Sequence, residues 1–388
     1  MELRLKVSAG EFARKQTPVR YPVRVPAGWA DQAEARLTTA DGTGLPVQLA
    51  RPSLLNPPGI ATTDKVDLTV WTILPELPAG ESVELKLTIA PGASKSSGTK
   101  GFHWKDTAGQ HLDLEYDGRP VARYMYQKYK DEPDLRDLNN KPFHHLFDPQ
   151  GDRLVTKGSG GEYTHHQGLY YGFTRCTFEG GVANTWYCHH GDHQLHKAEL
   201  ERTEGPILGR HRTSIDWNDT KGETFCHEIR ELAAFAVNGG TLVEWSSQLS
   251  SVRGTVTLDG DAQHAGFQFR AANEVAAKTK SQTTYLRPAG PGKPGETVNP
   301  TRGQEKPDTT DAATKAVMNL PWKAMTFVLG DQKYSVAYLD SPRNPKPSFY
   351  SERDYGRFGS WFGPKTLQEG EAPLEIRYRV WLQRGEIT

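Results

Sequence analysis

Polar and apolar side chains alternate along much of this chain of 388 residues, and this alternation limits the folds open to it more than any other feature. Residues 66–71 and 82–89 show the pattern early in the chain, and residues 111–116 and 374–382 show it later. A period of two is that of a β-strand with one buried face. Helical periodicity is almost absent, so the chain is predicted to be nearly all β, with helix in less than about a tenth of it.

A segment without large apolar residues divides the chain. Residues 91–100 are rich in Ser and Gly, as linkers are. The sequence therefore predicts a small N-terminal β-sandwich over residues 1–92, and a large antiparallel β-sandwich with the active site over residues 101–388. The many strands of the second domain must protect their edges, which a large two-sheet sandwich or a barrel achieves. An elongated supersandwich, as in galactose-mutarotase-like proteins, fits the length.

Composition argues against several classes of function. The formal net charge is zero, so no charge excess favours nucleic acid or an anionic membrane as a partner. No apolar run approaches the roughly 18–20 residues that span a bilayer, and the N-terminus lacks the apolar segment of a signal peptide. We therefore expect a soluble protein, either cytoplasmic or, where a leader has been removed, periplasmic or secreted. The sequence leaves the oligomeric state open.

Histidine is the residue type that most suggests chemistry. Most of the 13 histidines lie in the middle of the chain, in three clusters. The first is the pair His144 and His145, the second is the pair His165 and His166, and the third spans residues 188–196. Imidazole suits acid–base catalysis near neutral pH. Adjacent residues of a regular strand point to opposite faces, so a pair that lies in a regular strand can present only one ring to a common site.

Aromatic residues flank the first two clusters, which is typical of a cleft where sugar rings stack. We predict His145, His165 and His166 as catalytic acids or bases, and Tyr170 as a substrate-binding residue. A metal-dependent site is the alternative use of these histidines, because zinc and other transition metals bind neutral imidazole together with carboxylates. The candidate metal ligands are His145, His165, His166, His190 and His193. A divalent metal is thus the one cofactor that the sequence leaves open.

Two further segments supply polar residues. Residues 340–361 contain too much proline for a central strand, and loops on a rigid scaffold commonly carry function. Within this segment Arg353 is predicted to bind substrate and Tyr355 to take part in catalysis. Glu228 and Arg230 share one face of a predicted strand. Glu228 could be a carboxylate that binds substrate, with Arg230 as the cation that shifts its pKa. A structural salt bridge between the two residues fits the sequence equally well.

Three separated motifs suggest a family. They are Lys-Pro-Phe-His-His-Leu-Phe at residues 141–147, Thr-His-His-Gln-Gly-Leu-Tyr-Tyr at residues 164–171, and Arg-Asp-Tyr-Gly at residues 353–356. In this order they resemble a bacterial family of unknown function, DUF6807, which is often labelled methane oxygenase PmoA-like. The resemblance covers residues from about 102 to 388. It implies no settled catalytic residues, and the oxygenase label says little about mechanism.

These features together predict a carbohydrate-active enzyme, a lyase or hydrolase acting on a polysaccharide or a glycoside. His165 or His166 would act as base or acid, with Tyr355 or His145 as its partner. Arg353 would neutralise a carboxylate or a developing oxyanion. We expect these residues to line one concave site. Two alternatives stay open: a non-catalytic carbohydrate-binding or assembly protein, and a metal-dependent sugar enzyme with histidine ligands.

Overall fold

The computed structural model describes residues 1–56, 64–92, 100–132 and 135–387. We number the strands of these residues in chain order: β1 Glu2–Ser8, β2 Arg14–Pro26, β3 Ala33–Thr39, β4 Gly44–Leu45, β5 Gln48–Ala50, β6 Lys65–Leu77, β7 Ser82–Pro91, β8 Phe102–Thr107, β9 His111–Tyr116, β10 Arg119–Met125, β11 Phe143–Leu146, β12 Leu169–Phe173, β13 Arg175–Phe178, β14 Gly181–Ala183, β15 His193–Thr203, β16 Leu208–Asn218, β17 Thr224–Phe235, β18 Thr241–Ser251, β19 Thr255–Asp259, β20 Ala265–Arg270, β21 Thr284–Arg287, β22 Gly290–Pro291, β23 Trp322–Leu329, β24 Gln332–Asp340, β25 Phe349–Arg353, β26 Arg357–Trp361, β27 Lys365–Gln368 and β28 Leu374–Arg384.

Helical elements are short. They are the 3-10 turns Ala27–Trp29 and Lys280–Gln282, the π-helical turn Val275–Thr279, and the α-helix Ala312–Lys315. The prediction of a nearly all-β chain is therefore confirmed. Within the described ranges, no helix is long and apolar enough to cross a membrane.

Alternation in the sequence becomes alternation of burial in the strands. In β7, Leu85, Leu87 and Ile89 are buried, whereas Lys86 is exposed and Thr88 is partly exposed. Successive side chains of a strand point to opposite faces, so a strand with one face on the core buries every second residue. The alternation that predicted this strand thus places its apolar side chains in the core, where their burial stabilises the strand.

Strands β1 to β7 form two small antiparallel sheets, with the strand orders β1-β7-β3-β4 and β2-β6-β5. Val25, Leu37 and Leu87 belong to the apolar core that these strands bury. Within the predicted linker, residues 93–99 lie outside the described residues. That residues 1–92 form a domain of their own stays a prediction.

Gln48 and Trp71 connect the N-terminal sheets to the rest of the chain. The side-chain oxygen of Gln48 accepts hydrogen bonds from the backbone N–H groups of Ile207, at 2.9 Å, and Leu208, at 3.0 Å. The ring of Trp71 packs on Phe235, with 5.3 Å between the ring centroids. The N-terminal sheets therefore pack against the strands that follow.

Two large antiparallel sheets face each other in the second part of the chain. Over the described residues, one has eight strands in the order β25-β26-β20-β12-β11-β10-β9-β8, and the other has nine in the order β15-β16-β17-β18-β28-β24-β23-β21-β22. Aromatic rings meet between them. The ring centroid of Phe267 in β20 lies 4.3 Å from that of Trp245 in β18 and 5.0 Å from that of Tyr378 in β28. The predicted large antiparallel sandwich is confirmed.

Strand β20 brings distant segments of the chain together. It pairs with β12 on one side, where Leu169 lies opposite Phe269, and with β26 on the other, where Arg357 lies opposite Arg270. Both neighbours run antiparallel to β20, so both begin at the end of the sheet where β20 finishes. The segment before β12 and the turn before β26 consequently meet there.

Candidate active site

A cavity of about 410 Å³ opens where β12 and β26 begin. The residues that line it are Tyr163, His165, His166, Tyr187, Gln263, His264, Arg302, Arg353 and Tyr355. Four predicted site residues, His165, His166, Arg353 and Tyr355, are thus brought to one concave surface. Their chemical roles stay predictions.

A tight turn explains how two adjacent histidines reach the same cavity. The backbone N–H of His166 donates a hydrogen bond to the carbonyl of Tyr163, at 2.9 Å. Gly168 has a φ of +46°, and a Cβ at this position would lie 2.2 Å from the backbone oxygen of His144, so a side chain does not fit. The two histidines lie in this turn and not in a regular strand. The limit of one ring, which applies to a pair in a regular strand, therefore does not apply to His165 and His166.

The two imidazoles are neutral near pH 7. His166 is 3% exposed, and neither of its ring nitrogens has a hydrogen-bond partner. Burial, and next the charge of Arg357, lowers the pKa of His166 well below its ordinary value. Burial, and next the charge of Lys141, lowers the pKa of His165 to about 2. A neutral imidazole has one nitrogen that accepts a proton, so each ring is in the state that a general base requires.

Tyr355 occupies the turn between β25 and β26. The backbone N–H of Gly356 donates a hydrogen bond to the carbonyl of Arg353, at 3.0 Å. Gly356 has a φ of +78°, and a Cβ there would lie 2.8 Å from the Cβ of Ala271. Glycine therefore closes this turn against the neighbouring chain, and the turn holds Tyr355 at the cavity.

Two buried arginines fix the Tyr355 ring. The Nε of Arg357 donates a hydrogen bond to the phenol oxygen of Tyr355, at 3.2 Å. The guanidinium of Arg270 lies over the ring, 4.8 Å from its centroid. Held in this way, the ring of Tyr355 stacks on that of His166, with centroids 6.1 Å apart. A proton acceptor and a proton donor thus lie on one surface.

Sequence reasoning did not assign these two arginines to the site. Arg357 lies inside the Pro-rich segment that was predicted to carry function, so a partial signal existed. Arg270 lies at the end of β20, in a strand whose sequence gives no hint of a site. Among the other unpredicted lining residues, Tyr163 is one of the aromatic residues that flank the second histidine cluster, whereas His264 lies outside the three clusters and Gln263 carries no signal.

Residues 111–388 match a family of unknown function, DUF6807. The chain belongs to this family. The matched region contains every residue that lines the cavity. The match does not extend to the methane oxygenase label. No curated protein sequence matches this DUF6807 chain.

Three solved structures show a distant likeness. An alpha-mannosidase from Enterococcus faecalis V583 is 9% identical, with a TM-score of 0.43 over 99% of this chain, and the chain spans 43% of that protein. A glycosyl hydrolase family 38 protein from Enterococcus faecalis is 8% identical, with a TM-score of 0.44 over 97% of this chain and 43% of its own. A galactose mutarotase-like protein from Clostridium acetobutylicum is 9% identical, with a TM-score of 0.26 over 73% of this chain and 98% of its own. Likeness at this level carries no argument about function.

In this DUF6807 protein His145 does not line the cavity, so its predicted place in the common site was wrong. Its Nδ1 lies 2.9 Å from the hydroxyl of Thr156, and its ring packs on Phe143. Burial lowers the pKa of His145 to about 3. His144 and His145 lie in the regular strand β11, where adjacent side chains point to opposite faces. His144 accordingly meets His211, with 2.8 Å between the two Nε2 atoms.

Glu228 and Arg230 also lie away from the cavity, contrary to the prediction that they bind substrate. They are 0% and 1% exposed, and their side chains form a salt bridge of 2.8 Å. The indole N–H of Trp217 also donates a hydrogen bond to Glu228, and Arg230 donates one to the carbonyl of Pro142. Of the two alternatives that the sequence left open, these contacts fit the structural salt bridge.

Tyr170 lies behind the cavity and does not line it. It is fully buried, its ring packs on Trp186 at 5.1 Å between centroids, and its hydroxyl has no hydrogen-bond partner. Its ring also stacks on His166 at 5.8 Å. Tyr170 thus packs against His166 and does not line the cavity, and its role in substrate binding stays a prediction.

The predicted metal ligands do not form a cluster. In the described part of the chain, no group of three His, Cys, Asp or Glu residues could hold a metal ion. His190 is exposed, whereas His193 is buried, with its Nε2 lying 3.0 Å from the side-chain nitrogen of Asn218. His165 and His166 are neighbours, with 4.2 Å between ring centroids, but no third ligand joins them. The described residues thus do not fit the predicted metal site.

Proposed function

We propose that this DUF6807 protein is a carbohydrate-active enzyme, and specifically a lyase that breaks a glycosidic bond by elimination. The observation that supports it most is the pairing of His166 with Tyr355 at one cavity, with ring centroids 6.1 Å apart. Acid–base catalysis needs two titratable groups at one site. A lectin-like site would need mainly aromatic and amide groups, so the pairing favours an enzyme over a binding protein.

His166 is the proposed base. Its pKa lies well below the ordinary value, because the ring is buried and Arg357 lies nearby. The imidazole is therefore neutral at pH 7, and neither ring nitrogen is occupied by a hydrogen bond from the protein. A neutral imidazole can act as a base towards a substrate that contacts its ring in the cavity. The adjacent His165 lines the same cavity and packs against the His166 ring.

Tyr355 is the proposed acid. When a phenol gives up its proton it becomes an anion, which needs stabilisation in a buried site. The Nε of Arg357 already donates a hydrogen bond to the Tyr355 oxygen at 3.2 Å, and the cation of Arg270 lies 4.8 Å from the ring centroid. Both arginines would stabilise the phenolate that forms when Tyr355 protonates a leaving oxygen.

Aromatic rings give the cavity surfaces suited to a sugar. Tyr163, Tyr187 and Tyr355 all line it, and the rings of Tyr163 and Tyr355 lie 4.9 Å apart between centroids. Its volume of about 410 Å³ falls within the range of small-molecule sites. One or two sugar units would be the portion of a glycoside or polysaccharide that enters.

Elimination fits this cavity better than hydrolysis. Most glycoside hydrolases use two Asp or Glu residues, one as acid and one as base or nucleophile. Among the described residues, none that lines the cavity is Asp or Glu. Elimination needs a base, an acid and a group that stabilises negative charge, and here His166, Tyr355 and Arg353 are the candidates for these roles.

Incubation of the purified protein with a panel of polysaccharides tests the proposal. A lyase leaves a carbon–carbon double bond at the new chain end, which absorbs ultraviolet light and makes the product one water lighter than a hydrolysis product. We expect such products by mass spectrometry, and we expect His166→Ala and Tyr355→Phe to abolish them. His103→Ala, at a partly exposed position of β8 outside the cavity lining, is the control and should retain activity.

The other outcomes are informative. Products that contain the added water would identify a hydrolase and contradict elimination. Saccharide binding without any product would support the non-catalytic alternative. Activity that survives both His166→Ala and Tyr355→Phe would place the chemistry elsewhere in the protein.

A further inference from the structure

The cavity has an excess of positive charge that the protein itself does not balance. Arg302 and Arg353 line it. Arg353 is 9% exposed, and its Nε is buried without a hydrogen-bond partner. Among the described residues, neither arginine forms a salt bridge, although the chain has many elsewhere, such as Arg230 with Glu228. A guanidinium placed in a partly buried site without a counter-ion is costly unless a ligand supplies the negative charge.

Two more arginines without a salt bridge to any described residue contact the lining residue Tyr355. Arg270 and Arg357 are both 0% exposed. The hydrogen bonds of Arg270 go to the backbone oxygens of Ala271 and Tyr355. One amino group of Arg357 donates a hydrogen bond to the backbone oxygen of Gln263. Arg270 and Arg357 each also have a buried guanidinium nitrogen without a hydrogen-bond partner. The partners of both arginines are thus uncharged.

Asp261, an acidic residue close in sequence to the lining residues Gln263 and His264, is already engaged. Asp261 accepts a hydrogen bond from the backbone N–H of Gln263, at 2.7 Å, and its other carboxylate oxygen lies 3.0 Å from the Nδ1 of His264. Asp261 is not among the residues that line the cavity. Its charge is therefore directed to His264 and to the local backbone, and the arginines remain available to a ligand.

We propose that the cavity binds the carboxylate of an acidic sugar, with Arg353 and Arg302 contacting it and with Arg270 and Arg357 adding to the positive potential. This inference rests on the proposed function, because it names the substrate class of the same site. Guanidinium is planar and carries paired N–H donors that match the two oxygens of a carboxylate. The substrate is accordingly a uronic-acid glycoside or a polysaccharide that contains uronic acid.

A carboxylate also supplies what elimination requires. His166 takes the proton from the carbon that bears the carboxylate, and Arg353 stabilises the negative charge that spreads onto the carboxylate oxygens. The electron pair then forms a double bond to the next ring carbon. The bond from that carbon to the glycosidic oxygen breaks, and Tyr355 protonates the leaving oxygen. No electrons are gained or lost overall, so no oxidant or reductant is involved.

Binding measurements test the charge requirement separately from turnover. The probes are D-glucuronate, D-galacturonate, D-mannuronate and L-guluronate, each compared by calorimetry with its methyl ester, which removes the charge and keeps the ring. We expect at least one uronate to bind about tenfold or more tightly than its ester, since a charge-assisted bidentate contact is lost. Arg353→Gln should weaken that binding about tenfold or more. Arg353→Lys keeps the positive charge but loses the paired N–H donors, so it should weaken binding less.

Arg202→Gln is the matched control, because Arg202 lies in β15 away from the cavity and pairs with Glu199. It should bind the uronate as the parent protein does. If Arg353→Gln does not fold, as circular dichroism would show, Arg302→Gln replaces it, since Arg302 is exposed and also lines the cavity.

Three results would overturn the inference: equal binding of each uronate and its ester, uronate binding that is unaffected in the arginine variants, or binding of inorganic phosphate with none of uronate. The first result together with eliminative cleavage of a methyl-esterified uronan would leave the proposed function standing. Conversely, uronate binding with no cleavage of any uronate polymer would support the carboxylate site and contradict the proposed lyase.

Discussion

The rings of His166 and Tyr355 stack at an interplanar angle of 20°, although the two residues lie in different halves of the chain. They meet because β12 and β26 both pair with β20 and begin at the same end of the sheet. His166 stands just before β12, and Tyr355 stands just before β26. The backbone hydrogen bonds of β20 with its two neighbouring strands thus hold the proposed base close to the proposed acid.

Tyr355→Phe is expected to remove activity while leaving the fold intact. The substitution deletes one hydroxyl, which contacts Arg357, and it keeps the aromatic ring that covers Arg270. Loss of a general acid commonly lowers turnover by about 100- to 10,000-fold. Turnover and the thermal midpoint should be measured together, with Tyr21→Phe, at an exposed N-terminal position, as the control. Unchanged turnover would assign Tyr355 a structural role.

His166→Leu is expected to lose activity without losing stability. Both ring nitrogens of His166 are buried without a partner, so an apolar side chain of similar size removes a desolvation cost of about 1–3 kcal/mol. The thermal midpoint should stay the same or rise. A clear fall in the midpoint would mean that His166 is needed for packing, and lost activity could not then be ascribed to a missing base.

Acid should destabilise the protein through its buried histidines. Burial, then His196 and Arg230, lowers the pKa of His211 to about 3, and burial also places the pKa of His144 well below its ordinary value. Between pH 6.5 and about 3 the unfolded chain binds protons at these positions and the folded chain does not. The free energy of unfolding should therefore decrease as the pH is lowered through this window, by up to about 1.4 kcal/mol per pH unit for each histidine.

Urea denaturation between pH 4.5 and 7.5 measures this slope. His211→Gln should make the slope shallower, because one proton-binding difference disappears. His103→Gln, at a partly exposed position, should leave the slope unchanged. A parent protein whose stability is constant over this range would contradict the expectation.

Glu228→Gln should destabilise the protein severely. The change leaves Arg230 buried without its counter-ion, and breaking a buried pair from one side costs about 3–5 kcal/mol. The matched control is Glu199→Gln, which breaks the more exposed pair with Arg202 and should cost about 1 kcal/mol or less. Chemical denaturation compares the two, and equal effects would show that the buried pair is not essential to the core.

Residues 1–92 are proposed to form a domain of their own. Limited proteolysis should cut first within residues 91–100, and fragment masses give the cleavage site. Because Gln48 and Trp71 contact the second part of the chain, the two fragments should stay associated until denaturant is added. A first cut inside β16 or β18 would contradict the proposed boundary.

Much of the secondary structure was predictable, because side-chain alternation and strand burial arise from the same local geometry. The alternation of β7, for example, depends on that strand having one face on a core, whichever strands lie beside it. The histidine-rich and proline-rich segments were also visible as places where chemistry should lie. These are local properties of the sequence, so the sequence by itself determined them.

The composition of the site was decided by tertiary structure. His144 and His145 resemble His165 and His166 in sequence, yet the first pair lies in a strand that separates its rings, and the second lies in a turn that brings both to the cavity. Arg270 lies at the site because it ends β20, and β20 lies between β12 and β26 in the sheet. Strand pairing depends on contacts between residues that are far apart in the chain, and no local pattern encodes which strand lies beside which.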